Sequence, residues 1–160
     1  MAAWQFQLGM IPRLPVIARF GCIPEALPLS ETWDWTWKQQ PPGDYRQIIE
    51  SFTVTYPSWS PDILMWGSEN GNRIHLVIED GRVIEASARL TLREFSRDFA
   101  VGIISLAKHC DWLLALNGDT LAQPDLEALL TAVKESNAMK FVMNPVEFLE
   151  GIASGKYLIE

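Results

Sequence analysis

Two dipeptides, Asn70-Gly71 and Asp80-Gly81, constrain this chain most, because each tolerates the positive φ of a tight hairpin and each separates two β-rich runs. The runs are Ile63 to Ser68, Arg73 to Glu79 and Arg82 to Leu90. Together they predict a three-strand antiparallel meander. Side-chain pattern then predicts its register. A two-residue Asn70-Gly71 loop sets Met65 against Leu76 and Ile63 against Ile78, leaving one face uniformly apolar. At the second hairpin a two-residue loop would set Glu85 against Leu76 and Ser87 against Ile74. A three-residue loop, Glu79-Asp80-Gly81 with Gly81 as a left-handed bulge residue, aligns Ile84 with Leu76 and Ala86 with Ile74, so it is the one expected.

A helix is predicted next. Thr91-Leu92-Arg93-Glu94 has capping-box spacing, and Leu92, Phe95, Phe99, Ile103, Leu106 and Cys110 follow at steps of three and four, a stripe suited to the Ile74/Leu76/Ile84 face. Trp112 to Leu116 reads as a short apolar strand or buried segment stopped at Asn117-Gly118. Pro124 at a first helical position, with Asp125 and Glu127 favouring the dipole, opens a helix with core positions Leu126, Leu129, Leu130 and Val133. Phe141 to Met143 is expected to be extended, since Asn144 precedes a proline, and Pro145 starts a last short helix.

Residues 1–60 hold seven of the ten prolines and five of the seven tryptophans, which predicts extended segments and ordered loops. Leu14 to Phe20 and Trp33 to Lys38 read as strands, the second with Trp33, Trp35 and Trp37 on one face. Asp44 with Gln47 suggests a short capped helix before a strand from Phe52 to Tyr56, and the stretch Gln39 to Asp44 is a loop within one domain. Strands first and helices later give an α+β class over residues 1–160: Pro/Trp-rich segments (1–60), an antiparallel β-meander (61–90) and a helical part (91–160) packed on one sheet face.

The net charge of −7 argues against non-specific binding to nucleic acid or an anionic membrane, and favours a basic or neutral protein partner. The excess is uneven: residues 1–60 and 61–110 carry −1 each, residues 111–160 carry −5. No start resembling a signal peptide and no apolar run near the roughly 20 residues of a membrane span are present, so a cytoplasmic location is expected. Cys22 and Cys110, far apart, read as free thiols, and no cofactor or metal is implied.

Catalytic sets are scarce. Gly151 to Tyr157 lacks a spacer of the phosphate loop and has Tyr where a magnesium-binding hydroxyl belongs, and Ser68 sits wrongly between its glycines for a nucleophile elbow. Only His75 and His109 could serve a histidine-dependent reaction. His109 with Ser105, Cys110 or Asp111 is the enzymatic alternative, although on a helix Cys110 continues the apolar stripe while His109 points about 100° away. Arg89, Arg93 and Arg97 form either an anion clamp or, with Glu94 and Asp98 interleaved, a solvated salt-bridge network.

The expected register places Leu64, Val77 and Val83 in one row of the second sheet face, and Trp66, His75 and Glu85 in the next. Such a face is either covered by the Trp33/Trp35/Trp37 segment or left to bind. The function expected is therefore a non-catalytic protein-binding module, such as a toxin-neutralising immunity protein or a small adaptor. Trp66 and Trp59 would be its anchors, with His75, Arg73 and Glu85 on the rim. A small-molecule pocket between the N-terminal aromatics and the meander is the third reading.

Overall fold

Gln5–Pro12 (β1) alternates strictly, Phe6, Leu8 and Met10 being buried on one side while Gln5, Gln7 and Gly9 take the other. This strand, which the sequence analysis did not pick out, lies inside the sheet. The computed structural model describes residues 2–38 and 44–156; Gln39 to Gly43 of the expected loop and Tyr157 lie outside them, as does the side chain of Trp33. After β1 come helices α1 (Arg13–Phe20), α2 (Trp33–Thr36) and α3 (Tyr45–Glu50). Strands β2 (Thr55–Tyr56), β3 (Ile63–Gly67), β4 (Arg73–Glu79) and β5 (Arg82–Thr91) follow, then α4 (Arg97–His109), β6 (Trp112–Leu116), β7 (Thr120–Ala122), α5 (Leu126–Glu135), α6 (Asn137–Met143) and α7 (Pro145–Ala153). The seven strands form an open antiparallel sheet in the order β2-β3-β4-β5-β1-β6-β7. The class is α+β, as expected.

The three meander strands occur where the sequence places them, but both registers differ. β3 pairs with β4 one residue out of the expected alignment, Leu64 facing Leu76 and Trp66 facing Ile74. The two-residue Asn70-Gly71 loop gives way to a longer one, in which Gly67 turns at φ +108 and the Ser68 amide donates to the Asn72 carbonyl at 3.0 Å. Burial decides this. The slip carries the Trp66 indole from solvent into the core, where its 150–250 Å² is worth roughly 4–6 kcal/mol, against a turn preference of about 1–2 kcal/mol.

At the second hairpin the loop is the two-residue Asp80-Gly81, with Glu79 facing Arg82 and positive φ at both loop residues (51° and 73°). The apolar mismatch that argued against this loop is removed by a bulge between Val77 and Ile78, which leaves Ile84 as the extra residue. Beyond it Leu76 faces Ala86 and Ile74 faces Ala88, and the expected pairing of Ile84 with Leu76 is lost.

Leu14 to Phe20 is helical rather than extended: Pro12 ends β1 and Pro15 falls in the first turn of α1, where its missing N–H costs no hydrogen bond. Trp33 to Thr36 is also a helical turn, preceded by a 3-10 turn at Leu29–Glu31, and the Thr36 hydroxyl donates to the Thr32 carbonyl. The alternating tryptophan face is thereby lost. The Asp44 helix exists as α3 without a side-chain cap, and the strand expected from Phe52 shrinks to Thr55–Tyr56. Thr91 does not cap a helix, because β5 runs through it; Ser96 caps α4 by accepting from the Phe99 amide. Asp125, not Pro124, marks the start of α5, accepting from the Ala128 amide. Phe141 to Met143 belongs to α6, which Ser136 caps and which ends before Pro145.

One face of the sheet carries the main core. Phe99, Ile103 and Leu106 of α4 pack there with Ile74, Leu76, Ala86 and Ala88, and α3, α5 and α6 add Ile49, Leu129 and Ala138. On the opposite, outer face a second cluster among the described residues covers the β1-β6-β7 half. Ile11, Leu113, Ala115 and Leu121 are buried there beneath Val16, Ile23, Leu27, Leu29 and Trp35 of the N-terminal segment. The segment closes tightly on the sheet, since a Cβ at Gly9 would collide with Leu29 Cδ1.

Candidate functional site

The other part of the outer face is built by alternation on β2 to β5, with β1 at its border. With Ile74 and Leu76 committed to the core, Arg73, His75 and Val77 of β4 must face outward. Their partners on β5 are Arg89, Ser87 and Glu85, and β1 adds Gln7, which faces Arg89. Met65 of β3 and Tyr56 of β2 complete the row.

Three depressions lie side by side along this surface, adjoining through shared lining residues. The first, about 640 Å³, lies between Tyr56, Trp59, Met65, Arg73 and Arg89. It shares both arginines with a second of about 220 Å³ that includes Gln7, His75 and Ser87. Gln7 and Ser87 also line a third, about 300 Å³, whose far wall is Leu29, Thr32 and Trp37 and whose near side holds Glu85. The result is a furrow with an aromatic end, a cationic middle and a carboxyl at the N-terminal segment.

The electrostatics follow from this placement. Arg73 and Arg89 are direct cross-strand partners, and both donate to the Ser68 carbonyl, at 3.3 and 3.2 Å. Arg89 also donates to the Glu69 and Gly71 carbonyls at 2.6 and 3.2 Å, and the Arg73 guanidinium lies 5.1 Å from the Tyr56 ring centroid. Burial and then Arg73 lower the pKa of His75 and of Arg89, while burial raises that of Glu85. His75 Nε2 is buried with no hydrogen-bond partner among the described residues.

No protein-family model matches the chain, and neither a curated protein sequence nor a solved structure is significantly similar to it.

Of the five side chains expected to bind a partner, His75, Arg73 and Glu85 do share the outer face, and Trp59, 81% exposed, stands at its aromatic end. Trp66 does not. It is 1% exposed on the helix side, edge-on to Tyr45, with its indole N–H donating to Glu50 at 3.3 Å. Leu64 and Val83 join it in the core, leaving Val77 alone of that row on the outer face. The tryptophan cover is likewise divided: Trp35 packs over the β6 half, whereas Trp37 reaches the main core against Trp112.

The other expected sets are dispersed. Cys110 is buried, its thiol pushed up to about 11 by burial and then by Asp44, and Asp111 is held by Arg13 at 2.8 and 3.2 Å. Ser105 and His109 are exposed on α4. Arg93 stacks on Trp4 at 3.6 Å, so Arg89, Arg93 and Arg97 form no clamp, and none of them pairs with Glu94 or Asp98 among the described residues. Among the described residues, no group of three or more His, Cys, Asp or Glu could hold a metal ion, and no helix is long and apolar enough to cross a membrane.

Gln7, Ser87, Tyr56 and Met65 are site residues the sequence analysis missed. The signal for Gln7 was present in the period of two from Gln5 to Met10. Ser87 could be placed only once the bulge was known.

Proposed function

We propose that the protein is a non-catalytic binding module that takes a protein partner on the open half of its sheet, in the manner of a toxin-neutralising immunity protein or an adaptor. The observation that supports this reading is the furrow itself. Leu29 and Trp35 seal the other part of the sheet, and among the described residues the outer row of β2 to β5 combines two arginines, a histidine and a carboxyl, with the exposed indole of Trp59 in the β2–β3 loop at its end. Aromatic and arginine anchors of this kind are what partner surfaces use.

The test is retention of a partner from native extract on the immobilised chain. Trp59→Ala combined with His75→Ala should reduce retention at least several-fold, while His109→Ala leaves it unchanged. Retention insensitive to the double substitution overturns the assigned face. Loss of function on His109→Ala favours the enzymatic alternative instead.

The third depression supports a second reading, a small-molecule site between the N-terminal aromatics and the meander. It is lined by Leu29 and Trp37, with Thr32, Ser87 and Glu85 as polar groups. A ligand seated there would change the Trp37 fluorescence, which Trp37→Phe would abolish.

A further inference from the structure

We propose that Arg73 and Arg89, with Gln7 and Ser87 beside them, form an oxyanion-binding site in the middle of the furrow, and that its occupant is the carboxylate of an acidic side chain on the bound partner. The inference rests on the outer face being the binding face, and it names the group that face accepts.

Two guanidinium groups that touch the same carbonyl oxygen are an expensive arrangement, since like charges directly opposite on adjacent strands repel. Neither has a carboxylate partner among the described residues. The acceptors they do have are the neutral carbonyls of Ser68, Glu69 and Gly71. Those bonds use Nε of Arg73 and Nε and Nη2 of Arg89, leaving both terminal nitrogens of Arg73 and Nη1 of Arg89 without an acceptor among the described residues. Ser87, 8% exposed, lines the same depression of about 220 Å³, as does His75, whose buried Nε2 has no hydrogen-bond partner among the described residues.

In a chain of net charge −7, carboxylates are plentiful, yet among the described residues none forms an ion pair with these two arginines, although Glu69 lines the same depression. The loop carbonyls fix the two arginines in place, and fixed, partly desolvated guanidinium forks are suited to a planar carboxylate or a phosphate. The local field thus reverses the preference that net charge alone suggests: the partner presents an acidic group here, whatever its overall charge.

The experiment needs no partner. The 15N-labelled full chain is titrated at pH 7 and constant ionic strength with sodium phosphate and, separately, with an N-acetylated, amidated Gly-Glu-Gly peptide, following the Arg73 and Arg89 Nε–H signals and the Ser87 amide. The expected result is saturable shifts with both probes, with the dissociation constant raised roughly tenfold or more in Arg73→Gln. Arg73 is chosen because Arg89 braces the 68–72 loop, and the unchanged remainder of the spectrum reports that the variant is folded. Shifts that sodium chloride reproduces, or that persist unaltered in Arg73→Gln, overturn the site. Saturation by phosphate with no response to the peptide overturns the assignment of the anion to a protein side chain. A titration that succeeds while Trp59→Ala and His75→Ala leave retention untouched would leave the anion site standing and remove the larger face.

Discussion

Trp66→Ala separates the observed register from its one-residue neighbour. In the structure the indole is 1% exposed, packed edge-on to Tyr45 with ring centroids 6.4 Å apart. Truncating a buried indole to a methyl removes 150–250 Å² of packed area at about 25 cal/mol per Å², an upper bound near 4–6 kcal/mol, and measured Phe or Trp to Ala changes run about 3–5. Its hydrogen bond to Glu50 adds little, because that carboxylate is exposed and regains water. We expect a loss of about 4 kcal/mol. With a urea slope of about 2 kcal/mol per M, the unfolding midpoint should fall by about 2 M. Trp59→Ala, at a residue 81% exposed, should shift it by no more than about 0.5 kcal/mol. Comparable small effects for both substitutions would refute the register, because a slip of one residue puts Trp66 on the outer face beside His75.

Three further outcomes follow from the same geometry. Gly81→Ala should cost about 1–2 kcal/mol in thermal unfolding, all of it from the backbone, since φ is +73 and a Cβ there meets nothing within 4 Å. Burial raises the Glu85 pKa, so the native state holds this proton more tightly than the unfolded chain and loses stability as pH rises through the native value; Glu85→Gln should stabilise at pH 7, with the gain shrinking as the pH falls toward the ordinary carboxylate range, measured by urea titrations across pH. A thiol reagent at pH 8 should modify exposed Cys22 quickly and Cys110, pushed up to about 11, only after unfolding; rapid reaction of both thiols in the folded chain would contradict the burial.

What could be read without the fold was whatever depends on neighbours along the chain. The limits of β4, the α4 stripe through Phe99, Ile103 and Leu106, the strand Trp112 to Leu116 and the helix after Pro145 all follow from periodicity and local punctuation. Arg73, His75 and Glu85 could be grouped on one side for the same reason. Local signals misled where two competed: Pro12 and Pro15 suggested extension although the second sits harmlessly in a first helical turn, and the Thr91–Glu94 spacing resembled a cap inside a strand that continues.

The tertiary structure decided which side of the sheet each residue serves. A strand's pattern repeats every two residues, so a shift of one exchanges its faces, and only the balance of burial across the whole sheet chooses between them. That balance sent Trp66 inward, absorbed the second hairpin's mismatch in a bulge at Ile84, and drew β1 between β5 and β6, where Gln7 meets Arg89. The residue types of the furrow were written in the chain; their meeting was not, because Gln7, Arg73 and Arg89 come from three strands whose order is set by long-range packing.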